Sequence, residues 1–128
     1  MVVLRLSPVW YVKQKQRYNM NYNLLESTEE LFGEALETMR KKNADYSGDA
    51  TSLKNFELSA RVANISVPKG ILVRLMDKMT RIGNLMDKEG QVKDESIFDT
   101  IQDAINYCAI LLHALKIEAD KGPHDGMN

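Results

Sequence analysis

The chain has 128 residues, a net charge of -1 and a single cysteine. This length suits one domain with its own hydrophobic core, and a content of 44% hydrophobic and 27% charged residues is ordinary for a globular protein. The near-zero charge excludes a general attraction to DNA, RNA or an anionic membrane, so any polyanion site must be a local cluster of Arg and Lys. Because Cys108 is the single cysteine, an internal disulfide framework and a multi-cysteine zinc site are excluded. A single cysteine also suits a cytoplasmic protein.

Residues 1–23 differ in character from the rest of the chain. The apolar stretch MVVLRLSPVWYV is broken by Arg5 and Pro8, and the basic run that follows it contains no small-residue cleavage site of a secretory signal peptide. No apolar run approaches the about 20 residues that a membrane-spanning helix needs. We therefore expect a leader over 1–23 that is extended or loosely ordered. We also hypothesise that Met20 is the natural start of the protein.

A first helix is predicted from about Thr28 to about Asn43. Ser27 and Glu30 form a capping-box pattern at its start. Apolar residues then recur at helical spacing, and the opposite side is charged. Residues 43–51, with the sequence NADYSGDAT, are rich in turn formers and predict a loop. The apolar face consists of Leu31, Phe32, Ala35, Leu36 and Met39.

Two further helices are predicted between residues 52 and 90. Ser52 is a candidate cap for a second helix that carries Leu53, Phe56, Ala60 and Ala63 on one face and ends at Asn64. The third helix opens around Ser66 and Pro68, because proline is tolerated in a first turn, and Gly90 is a plausible stop. Its predicted core face consists of Leu72, Leu75, Met76, Met79, Ile82 and Met86.

The last predicted helix runs from about Asp94 to about Ala119. The tail over 120–128 contains Gly, Pro and His and is expected to fray. Four helices over 24–119, with short connections and no strand-like alternation, predict an all-α domain that forms a small helical bundle. The predicted core stripe of the last helix is Ile97, Ile101, Ala104, Ile105, Cys108, Leu112 and Leu115.

Four segments, in the same order, resemble the nucleotide modification associated domain 1 family of phages and bacteria. KNADYSG at 42–48 resembles its K-N-x-D-Y-G signature, and Asn55-Phe56 follows at the usual interval. GILVRLMDKMTR at 70–81 resembles G-I-L-V-R-L-x-D-K-x-x-R, and residues 92–107 resemble V-x-D-E-S-x-x-D-T-x-x-D-x-x-N-Y. Ser47 stands where the family has Gly, which leaves Gly48 to supply any positive φ. The resemblance implies phage or bacterial nucleotide metabolism or base modification.

The all-α nucleotide pyrophosphohydrolases of the MazG type offer a more distant comparison. They bind Mg²⁺ with an E-x-x-E pair on one helix and an E-x-x-D pair on another. Glu34 and Glu37 supply the first spacing, but Asp99 and Asp103 are four residues apart and Thr100 stands where Glu is expected. If hydrolysis occurs, a metal-activated water attacking a phosphate is the expected route.

A nucleotide site needs cations for phosphate and oxygen ligands for Mg²⁺. Arginines can clamp phosphate, an aromatic ring can stack on a base, and asparagines can read base or sugar edges. The candidate nucleotide-binding residues are Asp45, Tyr46, Asn55, Arg74, Asp77, Lys78, Arg81 and Asn106. The candidate catalytic carboxylates are Glu95, Asp99 and Asp103, and the candidate Mg²⁺ ligands are Asp99, Asp103, Glu34 and Glu37.

Each of these patterns also has a purely structural interpretation. Glu34 and Glu37 suit a solvated helix face, and Arg74 with Asp77 suits an intrahelical ion pair. Asp99 and Asp103 repel one another at i, i+4, so a cation is expected to face them, either a metal or Arg74 and Arg81. The methionines of the third helix suit a core or a subunit contact, and Cys108 suits an inert packing position.

Three functions therefore stay open. The first is a Mg²⁺-dependent nucleotide phosphohydrolase or a related nucleotide-modifying enzyme. The second is a module that binds or sequesters a nucleotide without turnover, and the third is a helical oligomerisation scaffold. The expected partners are a nucleotide or nucleotide-derived small molecule and further copies of the chain, without direct DNA binding or a membrane.

Overall fold

The computed structural model describes residues 23–46, 53–87 and 97–122. The described residues form helices and contain no strand, which confirms the predicted all-α class. No helix among them is long and apolar enough to cross a membrane. In chain order the helices are α1 (Leu24–Tyr46), α2 (Lys54–Ala63), α3 (Val67–Asp87) and α4 (Ile97–Asp120).

α1 is longer than the sequence pattern predicts. The Asn23 side chain accepts hydrogen bonds from the backbone amides of Leu25 and Glu26, at 3.1 and 3.2 Å. Because asparagine satisfies the free amides of a first turn, the helix starts there. The prediction that Ser27 caps the helix is therefore wrong, since Ser27 lies inside it. At the other end the helix continues through residues 43–46, which were predicted as loop.

A tight turn joins α2 to α3, as the sequence predicts. Asn64 adopts the left-handed conformation (φ 58°, ψ 45°), and its amide donates to carbonyls of the last turn of α2. The Ser66 hydroxyl accepts a hydrogen bond from the Lys69 amide at 3.2 Å. Pro68 occupies the first turn of α3, where it removes no needed donor. Asparagine thus ends one helix, and serine and proline start the next.

The four helices are arranged around a central pair. α3 packs most extensively on α4, while α2 packs on α3 and α1 packs on α4. α1 and α4 are antiparallel, because Ala35 contacts Asn106 and Thr38 contacts Gln102. α2 and α3 are antiparallel, because Gly70 lies beside Ala60 and Arg74 lies over Phe56. α3 and α4 are antiparallel as well, because Lys78 pairs with Asp103 while Arg74 and Tyr107 both reach Phe56. Within the described residues α1 packs against neither α2 nor α3. The bundle is therefore an α3–α4 hairpin that carries α2 on one member and α1 on the other.

The buried core is small. Ile71 of α3 is fully buried, and alanines fill the close contacts, with Ala60 on α2, Ala35 on α1 and Ala104 and Ala114 on α4. A Cβ built on Gly70 would lie 3.7 Å from the Cβ of Ala60, so α2 and α3 approach closely there. Small side chains let the helix backbones come together, at the cost of little apolar surface removed from water.

The predicted core faces of α3 and α4 need correction. On α3 the buried position is Ile71, whereas four members of the predicted set are about half exposed: Leu72, Met76, Met79 and Met86. On α4 the buried Ile97 and Ala104 are confirmed, but Cys108, Leu112 and Leu115 are exposed. The expectation that Cys108 is an internal packing residue is wrong for this chain, since its side chain faces outward. Each helix therefore has apolar residues on a second face besides the buried one.

Several predictions fall outside the described residues. These are the leader over 1–22, the loop over 47–52 with the proposed Ser52 cap, the stop at Gly90, the position of Glu95 and the tail from residue 123 onward.

Candidate functional site

Charged side chains from three helices meet at Asp103. One carboxylate oxygen of Asp103 lies 3.2 Å from the Lys78 ammonium of α3, and the other lies 3.3 Å from the Lys42 ammonium of α1. The Lys78 and Asp103 side chains are each 24% exposed, whereas Lys42 is 57% exposed. We call these three residues the charged cluster. It carries two positive charges and one negative charge, so it is a local cationic site on a chain of nearly zero net charge.

An aromatic cluster lies one helical turn away. Tyr107 follows Asp103 by four residues on α4, and Arg74 precedes Lys78 by four residues on α3. The rings of Phe56 and Tyr107 meet edge to face, with centroids 6.2 Å apart and planes at 85°. The Arg74 guanidinium carbon lies 5.6 Å from the centroid of the Phe56 ring, within cation–π range. The aromatic cluster, Phe56, Tyr107 and Arg74, thus adjoins the charged cluster.

The antiparallel register explains why these groups meet. Arg74, Lys78 and Arg81 follow one another at i, i+4 and i+7, so they form one row along α3. Asp99, Asp103 and Tyr107 form a matching row along α4 at four-residue steps. Since the two helices run in opposite directions, Lys78 pairs with Asp103 at the middle of the rows. Arg81 and Asp99, both half-buried, occupy the next turn in each row.

Asn106, an expected nucleotide contact, is buried at the junction of α1 and α4. Its side-chain nitrogen donates a hydrogen bond of 2.9 Å to the Ala35 carbonyl oxygen. One turn earlier, the Thr38 hydroxyl donates to the Gln102 side-chain oxygen at 2.8 Å. These two bonds attach α1 to α4. In this structure Asn106 therefore positions α1, and with it Lys42.

The remaining candidate residues are more scattered. Asp77 is exposed and makes no ion pair with Arg74 among the described residues, and Asn55 is exposed in the first turn of α2. Asp45 and Tyr46 lie in the last turn of α1, but their side chains fall outside the description. The structure thus brings together Arg74, Lys78 and Asp103 and leaves Asp77 and Asn55 at the periphery.

The four carboxylates expected to bind Mg²⁺ do not form a common site. Glu34 and Glu37 are exposed on α1, and Glu37 lies 3.7 Å from Arg40 of its own helix. Both oxygens of Asp103 face lysine ammonium groups. Over the three described ranges, no group of three or more His, Cys, Asp and Glu side chains is placed to hold a metal ion. The described carboxylates therefore do not fit a magnesium centre, and Glu95 lies outside the described residues.

Sequence reasoning anticipated a cation opposite the acidic row of α4 but named the wrong type of partner for Asp103. A metal or the two arginines were expected, and the observed partners are Lys78 and Lys42. Lys42 was missed as a site residue, although it begins the KNADYSG segment. Tyr107 was also missed, although it ends the 92–107 segment; its ring meets Phe56 of α2.

The chain was compared with protein-family models, curated proteins and solved structures, and no match was found in any of the three.

Proposed function

We propose that this chain is a nucleotide-handling protein that binds the phosphate of a nucleotide, or of a nucleotide-derived small molecule, at the charged cluster. The observation that carries the proposal is the convergence of Lys42 and Lys78, from two different helices, on the single carboxylate of Asp103. Two ammonium groups facing one carboxylate leave an excess positive charge. An incoming phosphate can satisfy this charge with charge-assisted hydrogen bonds.

The aromatic cluster supports a nucleotide rather than a bare phosphate. Tyr107 and Phe56 lie one turn from the lysines, where both are half-buried and pack edge to face on each other. Arg74 adds a third cation, held over the Phe56 ring. Aromatic rings stack on any nucleobase, and guanidinium groups pair well with phosphate. Phosphate contacts and stacking positions thus lie side by side, which suits a small ligand with both parts.

Binding without turnover is the form of the proposal that the geometry supports best. A hydrolase of the expected type would need carboxylates free to hold Mg²⁺, whereas the Asp103 carboxylate is paired with two lysines. Magnesium-dependent phosphohydrolysis remains the second candidate, carried by the resemblance of segments 42–48, 70–81 and 92–107. The proposed setting is the cytoplasm of a bacterial cell, where a phage or bacterial protein of nucleotide metabolism would meet its ligand.

The test is a panel of nucleoside mono-, di- and triphosphates, with and without magnesium, read out by calorimetric binding and by chromatography for product. We expect binding of at least one nucleotide and an affinity that falls at least tenfold in Lys78→Met. Lys41→Met is the matched control, since Lys41 is exposed on α1 next to Lys42, and it should bind within twofold of the parent. Circular dichroism verifies that both variants are folded.

Three outcomes decide between the candidates. Binding without product supports the binding module. Product that requires magnesium and disappears in Asp103→Asn supports the hydrolase instead. If no nucleotide binds and no product forms, or if Lys78→Met binds as well as Lys41→Met, this location for the site is wrong.

A further inference from the structure

The α3–α4 hairpin has a second apolar face that no described helix covers. On α3 this face carries Leu72, Met76, Met79 and Met86, with Gly83 completing a spacing of four, three, four and three residues. The four large side chains are between 45% and 54% exposed. Such spacing is the heptad pattern of a helix that packs lengthwise against another helix. We call this row the α3 seam.

α4 carries a similar row. Ile101, Ile105, Cys108, Leu112 and Leu115 follow the same alternation of four and three residues. Its first two members are half-buried, while Cys108, Leu112 and Leu115 are exposed, the two leucines at 54% and 49%. No charged residue interrupts either row. We call this row the α4 seam.

Both seams lie on the side of the hairpin opposite to α1 and α2. Gly70, which faces α2, and Met79 are nine residues apart, and nine residues make two and a half turns, so they point in opposite directions. The same separation relates Asn106, which faces α1, to Leu115. α1 and α2 share one face, because they reach Asp103 and Tyr107, which are one turn apart on α4. The seams therefore form one continuous surface on the opposite face.

We infer that this surface is the interface of a homodimer, in which the α3–α4 hairpins of two copies pack as a four-helix arrangement. Six leucine and methionine side chains, each 45–54% exposed, lie on this surface. A standard interface buries about 800 Å² on each partner around an apolar centre, which two such rows of side chains suit. A surface made of two parallel rows is self-complementary under a two-fold axis. Heptad rows need helices as partners, and a second copy supplies two of them.

This inference does not depend on the proposed function. The charged and aromatic clusters lie on the opposite face of the hairpin, so each copy would keep its own complete site, directed away from the interface. If no nucleotide binds, the dimer proposal still stands. If the chain is monomeric, the nucleotide proposal still stands.

Sedimentation of the full chain without nucleotide tests the inference. We expect a species of twice the 14.6 kDa of one chain at micromolar concentration. Met79→Glu and Leu112→Glu, one on each seam, should raise the dimer dissociation constant at least tenfold. Both side chains are about half exposed in one chain, so the helices should survive the change. Val62→Glu is the matched control, because Val62 is 81% exposed on α2 and lies off both seams.

Alkylation of Cys108 identifies the face. In a seam dimer the thiol should react more slowly as the protein concentration rises, and Met79→Glu should abolish that protection. A chain that is monomeric at every concentration overturns the inference. So does a dimer that survives both glutamate variants with Cys108 equally reactive throughout.

The alternative to a second copy is that the apolar N-terminal segment of the same chain covers the two seams. A variant that starts at Met20 tests this alternative. A leader on the seams would give a full-length monomer whose Cys108 is protected at every concentration and becomes reactive after truncation. That result would also overturn the dimer.

Discussion

The side-chain amide of Asn106 on α4 donates a hydrogen bond to the backbone carbonyl oxygen of Ala35 on α1, with 2.9 Å between the two atoms. Both residues are buried. The contact is tight because Ala35 presents only a methyl group, so the two helix backbones approach closely. α1 is therefore held to α4 by a specific buried hydrogen bond beside a small side chain.

Asn106→Ala should lower the free energy of unfolding by about 1–3 kcal/mol, the usual cost of losing a buried hydrogen bond. The measurement is urea unfolding at a fixed protein concentration, followed by circular dichroism. Asn84→Ala serves as the control, because Asn84 is exposed on α3, and it should leave stability unchanged or slightly raised. Equal stability of the two variants would show that the Asn106 bond contributes nothing.

The two lysines of the charged cluster should contribute unequally to stability. Lys78 and Asp103 are both largely shielded, whereas Lys42 is more than half exposed and its attraction is screened by water. We expect a coupling energy with Asp103 of up to about 1 kcal/mol for Lys78 and a few tenths for Lys42. Double-mutant cycles with Lys78→Met, Lys42→Met and Asp103→Asn measure both values. A larger coupling for Lys42 would contradict the geometry.

Phe56→Leu should cost about 1–2 kcal/mol of stability, since it removes the edge-to-face contact with Tyr107 and the ring beneath Arg74. Tyr107→Phe keeps the ring and should stay close to the parent protein. Thermal unfolding of the two variants at one concentration gives the comparison. The cluster would be energetically unimportant if Phe56→Leu melted at the parental temperature.

Gly33→Ala should stabilise the chain by about 0.5–1 kcal/mol, because alanine loses less backbone freedom than glycine in a helix. A Cβ built at Gly33 meets no atom within 4 Å among the described residues, so no clash opposes the gain. Gly122→Ala is the opposing control. Gly122 has a φ of +66°, and a side chain there is strained. Urea midpoints that move the same way in both variants would refute the conformational explanation.

Asn64 ends α2 in the left-handed region, which asparagine tolerates and alanine resists. Asn64→Ala should cost about 1 kcal/mol, while Asn64→Gly should be neutral or slightly favourable. Chemical unfolding of both variants distinguishes the two effects. A loss in Asn64→Gly as large as that in Asn64→Ala would show that the asparagine side chain, and not its backbone conformation, matters.

The sequence was sufficient to predict four helices, because the apolar residues of each recur at helical spacing. The end of α2 at Asn64 and the start of α3 around Ser66 and Pro68 are also recognisable in it. It was less informative about which apolar face is buried. α3 carries Ile71 on one side and Met79 on another, both apolar, and helical periodicity cannot rank two adjacent faces. The choice depends on where α4 lies, which is a property of the assembled hairpin.

In the candidate site too, some features follow from the sequence of one helix, while others depend on how the helices pack. A cation opposite Asp103 follows from the repulsion between Asp99 and Asp103, which is a local effect within one helix. That the cation is Lys78, and not Arg74 or Arg81, follows from the register between α3 and α4. That Lys42 joins it depends on the attachment of α1 through Asn106. Neither the α3–α4 register nor the position of α1 on α4 can be predicted from the sequence of one helix alone.

The attachment of α1 also bears on the order in which the chain assembles. Its hydrogen bonds through Thr38 and Asn106 join residues 64 and 71 positions apart, and its Lys42–Asp103 pair joins residues 61 positions apart. α3 and α4, in contrast, are neighbours in the chain. Docking α1 on α4 closes a longer loop than docking α3 on α4, so it costs more chain entropy. The α1–α4 contact is also the less extensive of the two. Of the four described helices, α1 should thus be the last to dock and the first to open. Lys42 would leave the charged cluster in that opening, while Lys78 and Asp103 stay paired. In hydrogen exchange, the α1 amides should lose protection before those of the central hairpin.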